Sequence, residues 1–441
     1  MKIAHISDLH CRNKIPGSSG INSRRSRDMP RLFKLFLQTI EQERVDFIAV
    51  TGDLLDVPLY IISGDDYYNY KKRQFFKEIL QDYKEIKKAL DKTKIPYMVV
   101  PGNHDYEPLF WKVFDKEKNI LKLQNHKFVR FCDREHSGHI PRRFDREKKL
   151  FIGELQKNDN LFQVHLQHYV IAPAIDSAYP HNYLEKDILQ DAIKRSDRVA
   201  LSLHGHYHPE SEALTIGNTL FSIAPSFSEY PHQYRLYTLT DGAISDTQKK
   251  NFPDHRPLSG KKVIFLDRDG TINTLPCYNS GPEQMELIKG AAEAIKIFTS
   301  LGYAVVVVTS QSAVGAGYVL PETVYSVNDE MSRLLAQHKC TLDAIYFSFE
   351  AGEAAVEEVY KETGRSKPAI TLLEQARDDL GISIEGSYFV GDSGVDIQTA
   401  RNAGITPVLV KTGHGNETAQ NTDMEGVQVF DDLLAFARQL V

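Results

Sequence analysis

Short apolar runs of four to seven residues recur along this 441-residue chain, many of them ending in a small polar cluster rather than in an ordinary turn. In the first half the runs cover residues 2–7, 47–51, 97–100, 161–167, 199–203, 219–223 and 233–239. Residues 31–43 and 75–90 between them show the 3.6-residue apolar period of amphipathic helices. A second series begins at KKVIFLD (261–267) and continues through AVVVVTS, AIYFSF, SYFVGD and TPVLVKT, again with helical stretches between. Strands alternating with helices bury their apolar faces only as a sheet covered by helices, so the chain reads as α/β throughout. Residues 247–260 (TQKKNFPDHRPLSG) hold two prolines and little periodicity, and are read as a connection. The expected division is a domain at 1–250, a linker at 251–260 and a second domain at 261–441. No internal repeat relates the halves.

Charge separates the halves further. Residues 1–250 carry 38 Lys and Arg against 33 Asp and Glu, whereas residues 251–441 carry 15 against 26. Thirteen of the sixteen histidines precede residue 250, and histidine is the commonest metal-ligating side chain. The four cysteines, Cys11, Cys132, Cys277 and Cys340, form no CxxC pair and no dense framework, which fits a reducing, cytoplasmic setting. Asp8 and His10 interrupt the stretch a signal peptide would need to be apolar, and no apolar run reaches the length of a membrane span.

Five polar clusters of the first half follow strand candidates: Asp8-Leu9-His10, Gly52-Asp53, Gly102-Asn103-His104-Asp105, His168, and Gly205-His206-Tyr207-His208. Loops leaving the carboxyl ends of strands in an α/β sheet converge on one crevice. Two Asp, one Asn and four His brought together there suit two divalent ions about 3.5–4 Å apart, which clamp a phosphoryl group and activate water. The neighbouring glycines are expected to let the backbone turn sharply. Taken singly, each cluster is as well explained by an ordinary turn. Five in order are not.

Residues 1–245 resemble the calcineurin-like metallophosphoesterases. The resemblance implies a four-layer α/β sandwich, with Asp8, His10 and His208 holding one metal, Asn103, His168 and His206 the other, and Asp53 bridging them. His104 would protonate the leaving group or stabilise the transition state, with Asp105 orienting it. His165 competes with His168, although the strand-end position favours His168; His204 is expected to support the last cluster. Manganese, iron and zinc all suit these donors. His126, His136, His139 and His181 carry no motif and are read as surface residues, as is the basic run 141–149. Of Arg24, Arg25, Arg27 and Arg31, one or two are candidates to orient a phosphate, and the rest form a solvated face.

In the second half Asp267-Arg268-Asp269-Gly270-Thr271 follows a strand, so two carboxylates at i and i+2 turn into one site, one to attack phosphorus and one to transfer a proton. Thr309 and Lys367 would neutralise phosphoryl oxygens, and Asp392 with Asp267 makes a hard oxygen site for Mg²⁺. Residues 261–415 resemble the haloacid dehalogenase superfamily, in its branch of heptose bisphosphate, histidinol and polynucleotide 3′-phosphatases. The resemblance implies a Rossmann-like parallel sheet, a metal contact from the Asp269 carbonyl, and Asp396 as a second acid. Departures are Ser310 for the usual Asn, Ala316 for the usual Arg, and no Cys or His in residues 350–366, where relatives carry a zinc loop. The 39 residues between Asp269 and Thr309 and the 57 between Thr309 and Lys367 leave no room for a large cap.

The expected function is bifunctional: the first domain cleaves a phosphodiester or phosphoester, and the second removes a phosphomonoester through an aspartyl phosphate, on a nucleotide or sugar-phosphate metabolite. The competing reading is a nucleic-acid end-processing enzyme, against which stand the acidic second half and the lack of a basic stripe with interleaved aromatics. No membrane partner is expected.

Overall fold

The computed structural model describes the chain except for residues 16–18, 20–22, 59–68, 137–138, 177–178, 180, 210, 241, 253–257, 275–280 and 362–363, and the side chains of 69–74, 322 and 359. It divides into two compact units, one of Met1–Ile15 and Ser23–Asp254, the other of Pro16–Asn22 and His255–Val441. Residues 253–257 of the expected linker lie outside the described residues, and its beginning is not linker: β13 (Ala243–Asn251) pairs antiparallel with β12 (Gln233–Thr240).

Two sheets form the first unit. One has the order β13-β12-β1-β2-β3, with β1 (Lys2–Ile6), β2 (Phe47–Thr51) and β3 (Tyr97–Val100) parallel. The other has the order β10-β11-β9-β8-β5-β4, in which β4 (Ile120–Leu123) and β10 (Leu214–Ile216) are antiparallel edges. Its interior strands β5 (His126–Arg130), β8 (Phe162–Leu166), β9 (Val199–His204) and β11 (Thr219–Ile223) are parallel. A hairpin of β6 (Arg134–His136) and β7 (Ile140–Arg142) stands apart from both.

Strand periodicity explains the layering. Ile3, Phe47 and Ala49 point to a core shared with Phe128, Val164, Leu201 and Leu203 of the facing sheet. Their neighbours Ala4, Ile6, Ile48 and Val50 point the other way, onto helices. The helix Met29–Gln42 presents Met29, Leu32, Phe33, Phe36, Leu37 and Ile40 to that outer face, a stripe at helical spacing. Helices Asp145–Gln156 and Lys186–Ser196 cover the far face of the second sheet through Phe151, Leu189 and Ile193. The result is a four-layer sandwich of two mixed sheets.

The basic run 141–149 is largely the solvated surface its charge implied, with Arg146 and Lys149 exposed, but Arg143 is an exception. Arg143 is fully buried, paired with Asp133 at 2.8 Å and Gln167 at 2.7 Å, and its guanidinium lies 3.9 Å from the centre of the Phe131 ring. Burial of its stem and stacking on an aromatic face favour Arg in a place where composition alone predicts exposure. His126 is likewise buried, not exposed.

The second unit is one parallel sheet of order β16-β15-β14-β17-β18-β19. Its strands are β14 (Lys262–Leu266), β15 (Ala304–Ser310), β16 (Ala344–Ser348), β17 (Ser383–Gly391), β18 (Thr406–Val410) and β19 (Gln428–Phe430). Val305 and Val307 face one apolar core, Val306 and Val308 the other, so β15 is buried on both sides, as an interior parallel strand must be. The strand order reverses at β14, with β15 on one side and β17 on the other, which places a crevice at their carboxyl ends. Among the described residues, no helix is long and apolar enough to cross a membrane.

The rings of Phe47 and Phe128 stack 3.6 Å apart between the two sheets of the first unit, both fully buried. Phe47→Ala is expected to destabilise this unit by about 3–5 kcal/mol. Chemical denaturation followed by tyrosine and tryptophan fluorescence should show its transition moved to lower denaturant.

Candidate metal centres and a carboxylate–lysine site

Each cluster of the first unit lies where its strand ends. Asp8 and His10 follow β1, Asp53 follows β2, Asn103 and His104 follow β3, His168 follows β8, and His206 and His208 follow β9. Asp8, His10, Asp53 and His206 themselves take positive φ angles of 54°, 42°, 49° and 68°. Non-glycine residues held there are strained, and such strain collects at functional sites. The glycines serve differently from expectation. Only Gly52 has a positive φ; at Gly102 and Gly205 a Cβ would fall 2.1 Å from Asp53 Oδ1 and 1.9 Å from Ser7 Oγ, so those two are needed for closeness rather than for turning.

Tautomers are set from outside the cluster. His168 Nδ1 donates to the Thr51 carbonyl at 2.7 Å, leaving the Nε2 lone pair aimed inward. There it meets Asn103 Oδ1 at 3.0 Å, His206 Nδ1 at 3.1 Å and Asp53 Oδ2 at 3.5 Å, while His206 Nδ1 lies 3.0 Å from Asn103 Oδ1. Burial and the neighbouring His168 hold His206 well below the usual histidine range, and hence neutral. A set of acceptors facing one another is repulsive unless a cation lies between them. Donors about 2.0–2.2 Å from one ion stand about 3.0–3.5 Å apart, the spacing seen here.

The second group repeats the device. His208 Nδ1 donates to Glu229 at 2.6 Å, and its Nε2 faces His10 Nε2 at 3.3 Å and Asp8 Oδ1 at 3.4 Å. Burial lowers the His208 pKa, but Asp8 and Glu229 outweigh it and push it up to about 9, so these carboxylates demand positive charge at this point. The two groups share one atom. Asp53 Oδ2 lies 3.6 Å from His10 Nε2 and 3.5 Å from His168 Nε2. The donors therefore fit two divalent cations bridged by Asp53.

His104 stands beside this centre, but Asp105 does not orient it. The Asp105 carboxylate accepts from the backbone of Leu54, Leu55 and Gly102 and from the Tyr83 hydroxyl, tying the loops after β2 and β3 to the helix Asn69–Thr93. The acid facing His104 Nδ1 is Asp56, at 3.2 Å, itself held by Arg12 at 2.7 Å. His165 is buried in β8, its Nε2 on Gln163 and its ring against Phe131, so it turns away from the centre that His168 joins. His204 bonds Ser202 and the Ser222 carbonyl and supports from behind. His181, read as a surface residue, packs its ring 4.6 Å from that of His206. Asp56 carried a sequence signal, standing three residues after Asp53; Glu229 carried none.

In the second unit, Lys367 Nζ lies 2.8 Å from Asp267 Oδ1 and 2.5 Å from Asp396 Oδ1. Asp267, Asp392 and Asp396 bring carboxylate oxygens within 4.8 Å of one another. Burial raises the Asp267 pKa, Lys367 lowers it, and Asp396 and Asp269 raise it again, leaving it at about 7; Asp392 is pushed up to about 6, chiefly by burial. One ammonium does not offset this density of carboxylates, and all-oxygen donors suit Mg²⁺. Gly270 (φ +79°) lets the chain pass so near that a Cβ would lie 2.1 Å from Asp392 Oδ2. Asp269 is gripped by Arg268 at 2.8 Å, Asn273 at 2.9 Å and Gln311 at 2.9 Å. Burial raises its pKa, but these donors prevail and hold it below the usual carboxylate range. Gln311 also donates to Thr309 Oγ1 at 3.0 Å. Residues 350–366 contain a different anchor: the buried Glu350 carboxylate accepts the backbone N–H of Arg365 and Ser366.

These donor sets define a metal-dependent hydrolytic centre in the first unit and a carboxylate–lysine phosphoryl-transfer site in the second. Residues 1–210 match the family model of the calcineurin-like phosphoesterases, and residues 364–436 that of the HAD-hydrolase-like proteins. D-glycero-D-manno-heptose-1,7-bisphosphate 7-phosphatase of Chlorobaculum tepidum is 35% identical over 184 residues, covering 40% of this chain and 90% of that one. A crystal structure of D,D-heptose 1,7-bisphosphate phosphatase from B. bronchiseptica, complexed with magnesium and phosphate, is 32% identical over 41% of this chain and 97% of that one, with a TM-score of 0.37. A dimetal phosphatase from Danio rerio is 11% identical over 56% of this chain and 98% of that one, with a TM-score of 0.44. The chain belongs to the calcineurin-like metallophosphoesterases through its first half, and through its second to the haloacid dehalogenase-type phosphatases related to heptose-1,7-bisphosphate 7-phosphatases. It is a hydrolase of phosphoric ester bonds.

Because Glu229 fixes the His208 tautomer, Glu229→Gln is expected to weaken one of the two first-unit metal affinities by about 10-fold. Titration of metal-stripped protein with Mn²⁺, read by calorimetry, checks this; the other affinity should stay unchanged.

Proposed function

We propose that this chain is a bifunctional phosphohydrolase. Its first unit hydrolyses a phosphoester or phosphodiester at a dinuclear centre held by Asp8, His10, Asp53, Asn103, His168, His206 and His208. Its second unit hydrolyses a phosphomonoester through Asp267. The observation that carries the reading is Asp53 Oδ2, one oxygen equidistant from the inward-facing nitrogens of His10 and His168. Bound at the two donor groups, divalent ions such as Mn, Fe or Zn would polarise the phosphoryl group and activate water; Mg²⁺ at Asp267, Asp392 and the Asp269 carbonyl would do the first of these.

In the first unit, Asp56 anchors His104 through Nδ1 and supports the protonated ring, whose Nε2 gives its proton to the departing oxygen once Arg24 has moved off it. In the second, an Asp267 oxygen attacks phosphorus as the ester P–O bond breaks, and Asp269 supplies the proton the leaving alkoxide needs. Water then attacks the aspartyl phosphate with Asp269 taking its proton, releasing phosphate and restoring the Asp267 carboxylate and the Asp269 acid. Lys367 and Thr309 offset the charge on the transferring oxygens. Arg268, Asn273 and Gln311 favour the ionised Asp269 that takes the water's proton in the second step, and the proton gained there is the one it gives to the next leaving group.

The proposed substrate is a phosphorylated metabolite, a sugar phosphate or nucleotide, in keeping with the heptose bisphosphate named for the relatives of the second unit. Three cysteines without disulfide partners, Cys11, Cys132 and Cys340, support a cytoplasmic setting.

Asp53→Asn and Asp267→Asn separate the two activities. On sugar phosphates and bisphosphates, linear and cyclic nucleotides and 3′-phosphorylated oligonucleotides, Asp267→Asn is expected to lose second-unit phosphate release by roughly 1,000-fold. Asp53→Asn should retain it and lose the first activity. A monoester that accumulates with Asp267→Asn and is consumed by Asp53→Asn would place the sites in sequence. Unchanged phosphate release in both variants would overturn the proposal.

A further inference from the structure

Of Arg24, Arg25, Arg27 and Arg31, two are held by the fold and a third faces solvent. Arg25 pairs with Asp28 at 2.6 Å, Arg27 donates to the carbonyls of Asn13 and Ile15, and Arg31 lies exposed on the helix Met29–Gln42. Arg24 differs. Its side chain is 92% buried, the complement of its 8% exposure. Its Nη1 lies 3.3 Å from His104 Nε2 and 3.8 Å from Asp56 Oδ1, and its buried Nε has no hydrogen-bond partner. Its charge reaches the centre itself: after burial, Arg24 is the largest influence holding His10 below the usual histidine range. Asp56 is shared with Arg12 and His104, so it offsets only part of the cost of a guanidinium this deep with one donor unsatisfied, and an anionic ligand would offset more.

We propose that Arg24 is the anchor for a phosphoryl oxygen in the first-unit site, and that it makes a terminal phosphomonoester the preferred substrate class there. The inference rests on the dinuclear reading of that site. A phosphodiester has two non-bridging oxygens, and the two donor groups joined by Asp53 provide one cation position for each. A phosphomonoester has a third oxygen and a second negative charge. Arg24 is the cationic donor left to receive them, and its planar fork takes an oxygen more favourably than an ammonium would. Moving from His104 onto that oxygen also uncovers Nε2 beside the bond to be broken.

The test uses the full chain carrying Asp267→Asn, so that the second unit does not contribute, loaded with Mn²⁺. The probes are p-nitrophenyl phosphate and bis(p-nitrophenyl) phosphate, with inorganic phosphate as competing ligand. Arg24→Ala is expected to lower kcat/KM for the monoester by about 10- to 100-fold, to raise its KM and to weaken phosphate inhibition in parallel, and to leave the diester little changed. Free guanidinium should restore part of the monoester rate. Metal content, measured by mass spectrometry, should remain two ions per first unit. Should Arg24→Ala fail to fold or lose metal, Arg24→Lys serves, with a smaller loss in the same direction. An equal loss on both probes, or none on the monoester, overturns the assignment. If the parent chain cleaves neither probe and loses no metal with Asp53→Asn, the dinuclear reading itself falls.

Discussion

The first unit depends on one constraint: a buried set of lone pairs must face each other without collapsing apart. His168, His206, Asn103 and Asp53 direct acceptor atoms to a common point with separations of 3.0–3.5 Å. No hydrogen bonding within the set satisfies all of them, so neighbours must hold the geometry. Thr51 and Glu229 do this by taking the outer N–H of a histidine, and the left-handed backbone at Asp8, His10, Asp53 and His206 does it by aiming the side chains. The two sheets in turn must bring the ends of β1, β2 and β3 opposite those of β8 and β9. The stacked Phe47 and Phe128 and the interleaved aliphatic core between the sheets keep that facing arrangement close-packed.

The second unit solves a related electrostatic problem with charge rather than tautomer. Two of its acids, Asp267 and Asp396, lie within hydrogen-bond distance of a single lysine; burial lowers the pKa of that lysine, but the two carboxylates outweigh it and drive it upward. Asp396 is bound to the helix Gly394–Asn402 through a capping box with Ser393, which removes it as a free nucleophile and leaves Asp267 in that role. Asp269 is fixed by three donors, so two carboxylates two residues apart are given different protonation tendencies by their surroundings: Asp267 raised, Asp269 lowered. Without a cation these shifts oppose the duties assigned to the two acids, and Mg²⁺ held by Asp267 and Asp392 would favour the ionised Asp267 that the attack needs.

What could be read in the sequence followed physical locality. Buried parallel strands announce themselves by unbroken apolar runs, so 47–51, 97–100, 219–223 and 304–310 appear in the structure with the same limits. Ligands directly after such strands were equally legible. Edge strands were not: β4 (ILKL), β10 (LTI) and β13 (AISDTQKKN) are short or half-polar and have no buried period. Contacts made through folding alone were also hidden. Asp56 displaces Asp105 as the partner of His104 because the β2 loop returns past the β3 loop; adjacency in sequence gives no measure of that. Glu229 reaches His208 from beyond another strand, and Arg143 lies in a run whose charge reads as surface.

Glu350 shows how the second unit departs from the branch it resembles. The segment 350–366 lacks the cysteines and histidines of a zinc loop, yet its two ends are joined by the Glu350 carboxylate, which accepts from Arg365 N at 3.0 Å and Ser366 N at 2.8 Å. Ser366 Oγ also donates to Ser348 Oγ at 3.0 Å, and Ser310 Oγ accepts from Lys367 N at 3.1 Å. The chain therefore delivers Lys367 to Asp267 through a ladder of hydrogen bonds running from the ends of β15 and β16. Ser310, which stands where the branch has Asn, is a rung of that ladder rather than a simple loss. A metal clip stabilises a loop by an amount that depends on metal supply. A carboxylate anchored to backbone N–H groups does so at all times, so placement of the lysine here is a property of the fold itself, with metal dependence confined to the reacting site.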